Sequence, residues 1–320
     1  MNVLKNTLIT ITTSIFLLSC SFLFGCTDVT QSNVNNEHEI ELIINSNYVL
    51  DNHYFKDYTF NKPSGIYIKN DIIIISDSTN NCLVLFDLNG AFIREIGSVG
   101  NGELEFLHPT SINFNGEYYI ILDSGNNRVQ LLNENFIYVD EIQLPNNFTK
   151  YNHYIDIASD ENNIYATTNN INVKNSKLYM VDIDKKIVHT YGSDINGYLS
   201  LYNGNIYYYN SLELIHDKKS DTGRNGNNYM YNFVDGQTNL IRELPYKYCP
   251  QDFLYTEDKI YIISDYYSSV DTYSIECDYI ETLYKFEEYA QIRYLAYDEQ
   301  NDIIYFTSPE NSAVYRLYKG

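Results

Sequence analysis

The sequence predicts an all-β chain, a six-bladed β-propeller of four-stranded antiparallel blades closed by an N-terminal strand. Three observations carry that expectation. Short apolar runs rich in β-branched and aromatic residues recur six times, at Ile72–Asp77, Tyr118–Asp123, Ile164–Thr168, Ile206–Asn210, Ile260–Asp265 and Ile303–Ser308. Their spacing is about 42 to 55 residues, the length of one four-stranded blade. Hairpin dipeptides, Asn89-Gly90, Asn115-Gly116, Asn203-Gly204 and Asp235-Gly236, fall between apolar runs where antiparallel strands must reverse.

The N-terminus reads as an address. Residues Leu8 to Gly25 form an apolar run behind a short polar start that contains Lys5. That is the length of a signal-peptide hydrophobic region, and short for a membrane span. The run ends Leu23-Phe24-Gly25-Cys26 and is followed at once by Thr27 and Asp28, which resembles a bacterial lipobox. Leu17-Leu18-Ser19-Cys20 is a second candidate, but the apolar run continues past Cys20 and stops at Cys26. The expected organisation is therefore a lipoprotein signal peptide over 1–25, a polar Asn/Ser-rich tether over 26–38 beginning at a lipidated Cys26, and the propeller over 39–320.

Within the propeller the first two units match each other closely. Pro63-Ser64-Gly65-Ile66 leads to IIIISD ending at Asp77, then a turn, an apolar strand, Asn89-Gly90 and FIREIG ending at Gly97. The series restarts 46 residues later at Pro109-Thr110-Ser111-Ile112, with Asp123, Asn126 and Arg128 around the turn and a Gly-rich link before it. This arrangement resembles the NHL repeat, which runs from a proline-led strand to an Asp-Ser-x-Asn-x-Arg turn. The resemblance implies a propeller fold and its display geometry only, and makes Asp77, Asp123, Asn126 and Arg128 turn and brace residues. The later units keep the spacing and the strand type.

The cores read as unbroken apolar runs, as expected for strands covered on both faces by neighbouring blades, and a helix is excluded by their length, β-branching and flanking turns. Arg128–Leu132 is expected to be an outer, alternating strand. The sixth unit supplies three strands before the chain ends, so Ile40–Ile44 is expected to complete it, joining the termini and removing an exposed edge.

Site candidates follow from strand position. In NHL-like propellers the start of the innermost strand faces the channel, which here selects Ser64, Thr110, Asp156, Asp252 and Arg293 as a ligand-binding ring. The plainer alternative is that these side chains bond one another and trapped water. No metal is expected; if one binds, His108 and His153, which precede adjacent inner strands, are the candidates, joined by Asp156 or Asp252 if the register is right, although such sites usually need about three protein ligands and no HxH or HExxH pair occurs. The stretch 216–228 lengthens the fourth unit and gathers Lys218, Lys219 and Arg224 in an otherwise acidic chain, marking an interaction loop. Cys82, Cys249 and Cys277 lie in or beside apolar runs with no CxxC spacing and read as buried thiols, a disulfide among them staying open.

Composition bounds function. With 21 basic against 42 acidic residues the net charge is −21, which disfavours nucleic acid as partner. No phosphate loop, GxSxG elbow or Cys/His dyad is present, so no cofactor and no catalytic residue is expected. The expectation is a monomeric propeller on the cell envelope, lipid-anchored to the membrane, binding or scaffolding a protein, peptide or glycan. The alternative is a metal-dependent hydrolase or lyase with its site in the channel, since related propeller folds include such enzymes.

Overall fold

The computed structural model describes residues 40–320 apart from 146–151, 171–175, 194, 196, 210–213, 218–221, 226–228, 235, 245–247, 249, 265 and 289. The predicted signal peptide, tether and Cys26 lie outside the described residues, as do Lys218, Lys219 and Cys249.

Six four-stranded antiparallel sheets follow one another along the chain. Blade 1 comprises Pro63–Lys69, Ile72–Asp77, Cys82–Asp87 and Phe92–Ile96. Blade 2 comprises Pro109–Phe114, Tyr119–Asp123, Arg128–Leu132 and Tyr138–Gln143. Blade 3 comprises Asn152–Ser159, Asn163–Asn170, Lys177–Asp182 and Ile187–Ser193. Blade 4 comprises Leu199–Tyr202, Asn205–Tyr209, Tyr229–Val234 and Gln237–Glu243. Blade 5 comprises Pro250–Tyr255, Lys259–Ser264, Ser269–Ser274 and Tyr279–Lys285. Blade 6 takes Leu295–Asp298, Ile303–Ser308 and Ala313–Lys319 from the end of the chain and Tyr48–Asp51 from its beginning. The first strands of successive blades touch in sequence, and that of blade 6 returns to blade 1, so the ring closes.

The continuous apolar runs are explained by six core clusters, one at each junction between blades. Successive strand residues point to opposite faces, and each face meets a different neighbour. Ile73 and Ile75 enter the cluster shared with blade 6, while Ile74 enters the one shared with blade 2. Likewise Ile120 and Leu122 face blade 3, and Tyr119 and Ile121 face blade 1. Each fully buried isoleucine contributes roughly 1.5–3 kcal/mol, so a strand that loads both faces holds two neighbours at once. These runs form the second strand of each blade. The turns agree with the sequence: Gly90, Gly116, Asn203, Gly204 and Gly236 all have positive φ, the backbone that tight hairpins require.

Two strand expectations are corrected. Arg128–Leu132 is the third strand of blade 2 and is buried at every residue, while Tyr138–Gln143 outside it is the alternating edge. Third strands are still sandwiched between blades, and only the outermost strand is free on one face. Second, the ring is closed by Tyr48–Asp51, which pairs antiparallel with the last strand from Tyr48 opposite Lys319 to Asp51 opposite Arg316. A rim strand has one buried face, which suits the alternation of buried Tyr48 with exposed Val49 better than an unbroken apolar run. Ile40–Ile44 instead leads the chain along blade 5. There the Ile43 carbonyl accepts from the Thr282 amide and the Asn45 amide donates to the Thr282 carbonyl, both at 2.8 Å. Ile43 and Ile44 stay exposed.

The insertion in blade 4 carries its own two-stranded hairpin, Leu214–Asp217 with Thr222–Asn225, between that blade's second and third strands. Arg224 falls on it. Cys82 and Cys277 are buried free thiols, which excludes a bridge between them.

Candidate functional site

The axis of the ring is lined by the first strands, and their entry is bulged. Pairing with the second strand slips between Pro63 and Ile66, Pro109 and Ser111, Tyr154 and Asp156, and Pro250 and Phe253. In each of the six blades the residue just after Gly65, Ser111, Asp156, Tyr198, Asp252 or Tyr294 pairs with the second strand, which sets these six at corresponding places, one per blade. Being an inner edge, the first strand leaves amides without a partner in its own sheet, and buried amides must be satisfied. The ring residues supply the acceptors. Asp156 Oδ2 accepts from the Leu199 amide of blade 4 at 2.8 Å, and its Oδ1 accepts from the Ser111 hydroxyl of blade 2 at 2.6 Å. Asp252 Oδ2 accepts from the Leu295 amide of blade 6 at 2.6 Å. Ser111 Oγ in turn takes the Ile157 amide at 3.4 Å. Each side chain thus ties its blade to the next.

At blade 1 the same place is glycine for steric reasons. A Cβ on Gly65 would stand 2.6 Å from the Thr110 carbonyl oxygen, so here the two inner strands approach too closely for any side chain.

Tyr294 crosses the axis. Its hydroxyl donates to the Ile155 carbonyl of blade 3, opposite blade 6 in the ring. The Tyr198 ring of blade 4 packs edge-on against it, with centroids 5.2 Å apart. Around this plug the two carboxyl groups are buried, and burial raises both above the ordinary aspartate range; the charge of Asp156 raises Asp252 further. Burial likewise pushes the Tyr294 phenol up, helped by Tyr198 and both carboxylates.

Of the five ring residues expected from sequence, Asp156 and Asp252 converge on the axis. Ser64 and Thr110 sit one residue earlier, within the bulge, and Arg293 sits one residue before Tyr294. Ser64 Oγ donates to the Lys62 carbonyl at 3.4 Å, the Thr110 carbonyl accepts from Ser76 Oγ at 3.3 Å, and Arg293 Nη1 donates to the Ile292 carbonyl at 3.0 Å. Ser111, Tyr198 and Tyr294 are members that strand-start reasoning missed. Superposing the prolines would have found the first, because Pro63, Pro109 and Pro250 set Gly65, Ser111 and Asp252 in one column.

His108 is exposed on left-handed backbone, its amide donating to Asn81 Oδ1, whereas His153 is half-buried and its pKa is lowered by burial. Among the described residues no three His, Cys, Asp or Glu side chains converge as metal ligands. The turn residues act as braces. Asp77 accepts the Asn61 amide and Asn80 Nδ2, and Asp123 accepts the Leu107 amide, Asn126 Nδ2 and Arg128 Nε.

Comparison with known proteins agrees with this architecture. A family model described as a 6-bladed beta-propeller matches residues 54–197. No curated protein sequence matches the chain. Among solved structures, virginiamycin B lyase from Staphylococcus aureus superposes with a TM-score of 0.58 at 10% identity, covering 85% of this chain and 99% of that one. A gluconolactonase from Xanthomonas campestris gives 0.61 at 9% identity, covering 86% and 91%. The calcium-binding protein regucalcin from Agrobacterium tumefaciens gives 0.59 at 11% identity, covering 84% and 93%. At such identities the likeness is one of fold. The chain is a six-bladed β-propeller, all-β and built of four-stranded antiparallel blades.

Proposed function

We propose that this protein is a lipid-anchored, extracytoplasmic propeller that binds or scaffolds a protein, peptide or glycan through its rim loops. The observation that carries the reading is Tyr294 bridging blade 6 to blade 3 across the axis. A channel closed by a buried phenol, with Asp156 and Asp252 already engaged by backbone amides, suits a rigid display platform. Recognition then falls to loops, with the blade 4 hairpin and its basic residues Lys218, Lys219 and Arg224 as the first candidate. The anchor would be Cys26, placing the propeller on the outer side of the membrane that its signal peptide crosses.

The second reading, a metal-dependent hydrolase or lyase working in the channel, draws on the lyase and lactonase among the fold neighbours. Fold alone is a weak warrant for chemistry.

One set of experiments separates them. Cys26→Ser in the full chain should move the protein from the membrane to the soluble fraction. Crosslinking in intact cells should give a discrete adduct that disappears when 214–225 is replaced by a short Asn-Gly turn. Stoichiometric Zn²⁺ or Ca²⁺ in the purified protein, with thermal stability lost on chelation, would overturn the display reading in favour of the enzyme.

A further inference from the structure

The exposed apolar side chains gather at one end of the blades. In a four-stranded antiparallel blade the first-to-second and third-to-fourth turns lie at one end, and the second-to-third turn lies at the other. At the first of these ends the fourth strands open with Ile93 in blade 1, Ile187 in blade 3 and Ile280 in blade 5, which are 46%, 44% and 46% exposed. Ile137, in the turn before the fourth strand of blade 2, is 58% exposed, and Val49, in the fourth strand of blade 6, is 42% exposed. Neighbouring blades keep one sense around the axis. Asn113 of blade 2 meets Ser159 of blade 3 as Ser111 meets Asp156, each at 2.6 Å, while Asp156 and Asp252 reach Leu199 and Leu295 of the next blades. Five of the six blades therefore present an aliphatic side chain on the same rim. Single exposed apolar residues are ordinary, but an array repeated blade after blade marks a contact surface.

The chain also joins the propeller at this rim. The Ile43 amide donates to the Tyr279 hydroxyl at 2.9 Å, and Ile44 forms a parallel bridge with Thr282. Residues 43–45 thus run in the direction of Tyr279–Lys285 and come from its turn end. Ile43 and Ile44, 61% and 58% exposed, extend the apolar array. Thirteen residues, 27–39, lie between Cys26 and Ile40, a stretch that spans under about 50 Å even when fully extended.

We propose that the rim carrying the third-to-fourth turns is a membrane-contact surface, whose aliphatic side chains enter the interface of a zwitterionic lipid bilayer. The proposal rests on the lipid-anchored reading above. An anchor at Cys26 holds the rim at high effective concentration beside the bilayer, so a shallow contact made by a few aliphatic residues is enough. Basic side chains on the rim are already engaged. Lys185 and Lys186 pair with Asp182 and Asp140 at 2.6 and 2.5 Å, and Arg94 donates to the Asn135 carbonyl at 3.1 Å. With a net charge of −21 the chain gains nothing from anionic headgroups, so the contact is apolar. Docked in this way, the propeller turns its second-to-third turns outward. The blade 4 hairpin is one of them, and it then faces away from the membrane, where a partner can reach it.

The chain has no tryptophan, so a single introduced indole reports its own surroundings. Ile93→Trp, Ile187→Trp and Ile280→Trp place it on the rim. Val99→Trp, in the link after blade 1, and Tyr266→Trp, between the second and third strands of blade 5, place it at the opposite end. Each full-length, lipidated protein is attached to phosphatidylcholine vesicles whose acyl chains carry bromine, a short-range quencher. The rim tryptophans should lose at least about half of their emission relative to unbrominated vesicles, and the two controls should keep theirs. Adding Ile137→Glu and Val49→Glu to Ile187→Trp should abolish the quenching while the protein still sediments with the vesicles. Replacing part of the lipid with phosphatidylserine should not increase it. Equal quenching at both ends, or none at either, in protein that sediments with vesicles would overturn the rim contact and leave the anchor reading standing. Rim tryptophans that shift to the blue only in native envelope membranes, or only at high protein concentration without lipid, would overturn it in favour of a protein partner or a second copy. Protein that stays in solution with Cys26 intact would overturn both readings.

Discussion

Replacing Arg128 with alanine removes a guanidinium that ties blade 2 to the Gly-rich link before it. Arg128 Nε donates to Asp123 Oδ2 at 2.8 Å, Nη1 to the Asn101 carbonyl at 2.7 Å and Glu141 Oε2 at 2.5 Å, and Nη2 to the Gly102 and Glu105 carbonyls at 2.9 and 2.7 Å. The arginine and Asp123 are 3% and 0% exposed, so the pair is truly buried, whereas Glu141 is 38% exposed and adds little. Breaking one side of a buried pair costs roughly 3–5 kcal/mol, because the other charge is stranded. For a propeller of this size that is a fall of roughly 5–9 °C in melting temperature. Burial already raises Asp123, and without the guanidinium it rises further. The variant's folded state then holds a proton that its unfolded state has released, so its stability falls as pH rises through that interval. The deficit should accordingly be larger near pH 8 than near pH 5. Asp123→Asn in the same chain should restore part of the loss. Urea unfolding followed by circular dichroism, at both pH values, measures all of this. A loss under about 1 kcal/mol, or one that grows on acidification, would refute the reasoning.

Other expectations concern the ring, a second buried acid and one close contact. Deleting 40–44 should cost little, whereas replacing Tyr48–Asp51 with a Gly/Ser linker should open the ring and lower the melting temperature sharply; calorimetry on both assigns the closing strand. Asp271 is fully buried, accepts hydroxyls from Tyr248, Ser269 and Thr282, and is pushed by burial to about 6. Its folded pKa exceeds the unfolded value, so stability falls as pH rises from the unfolded pKa through about 6. Asp271→Asn should flatten that slope by up to about 3 kcal/mol in urea titrations across the interval. Gly65→Ala should destabilise by about 1–3 kcal/mol in the same assay, since the new methyl would press on the Thr110 carbonyl.

The sequence by itself determined the blade count, the strand type and the turns. These are local properties: an apolar run that must be buried on both faces, and glycine or asparagine where φ turns positive. The brace at Arg128 and Asp123 was legible for the same reason, because the residues lie within one turn. Tertiary structure decided what depends on meetings between distant segments. The closing strand is one case, since Ile40–Ile44 and Tyr48–Asp51 both carry apolar residues and only the one-sided rim distinguishes them. The axial site is the other. A one-residue bulge separates Ser64 and Thr110 from the column of Ser111, Asp156 and Asp252, and the Tyr294–Ile155 bond joins residues from opposite blades. Strand periodicity records which face a residue takes, but the ring that sets one blade's carboxyl against the next blade's amide forms only when all six blades have closed.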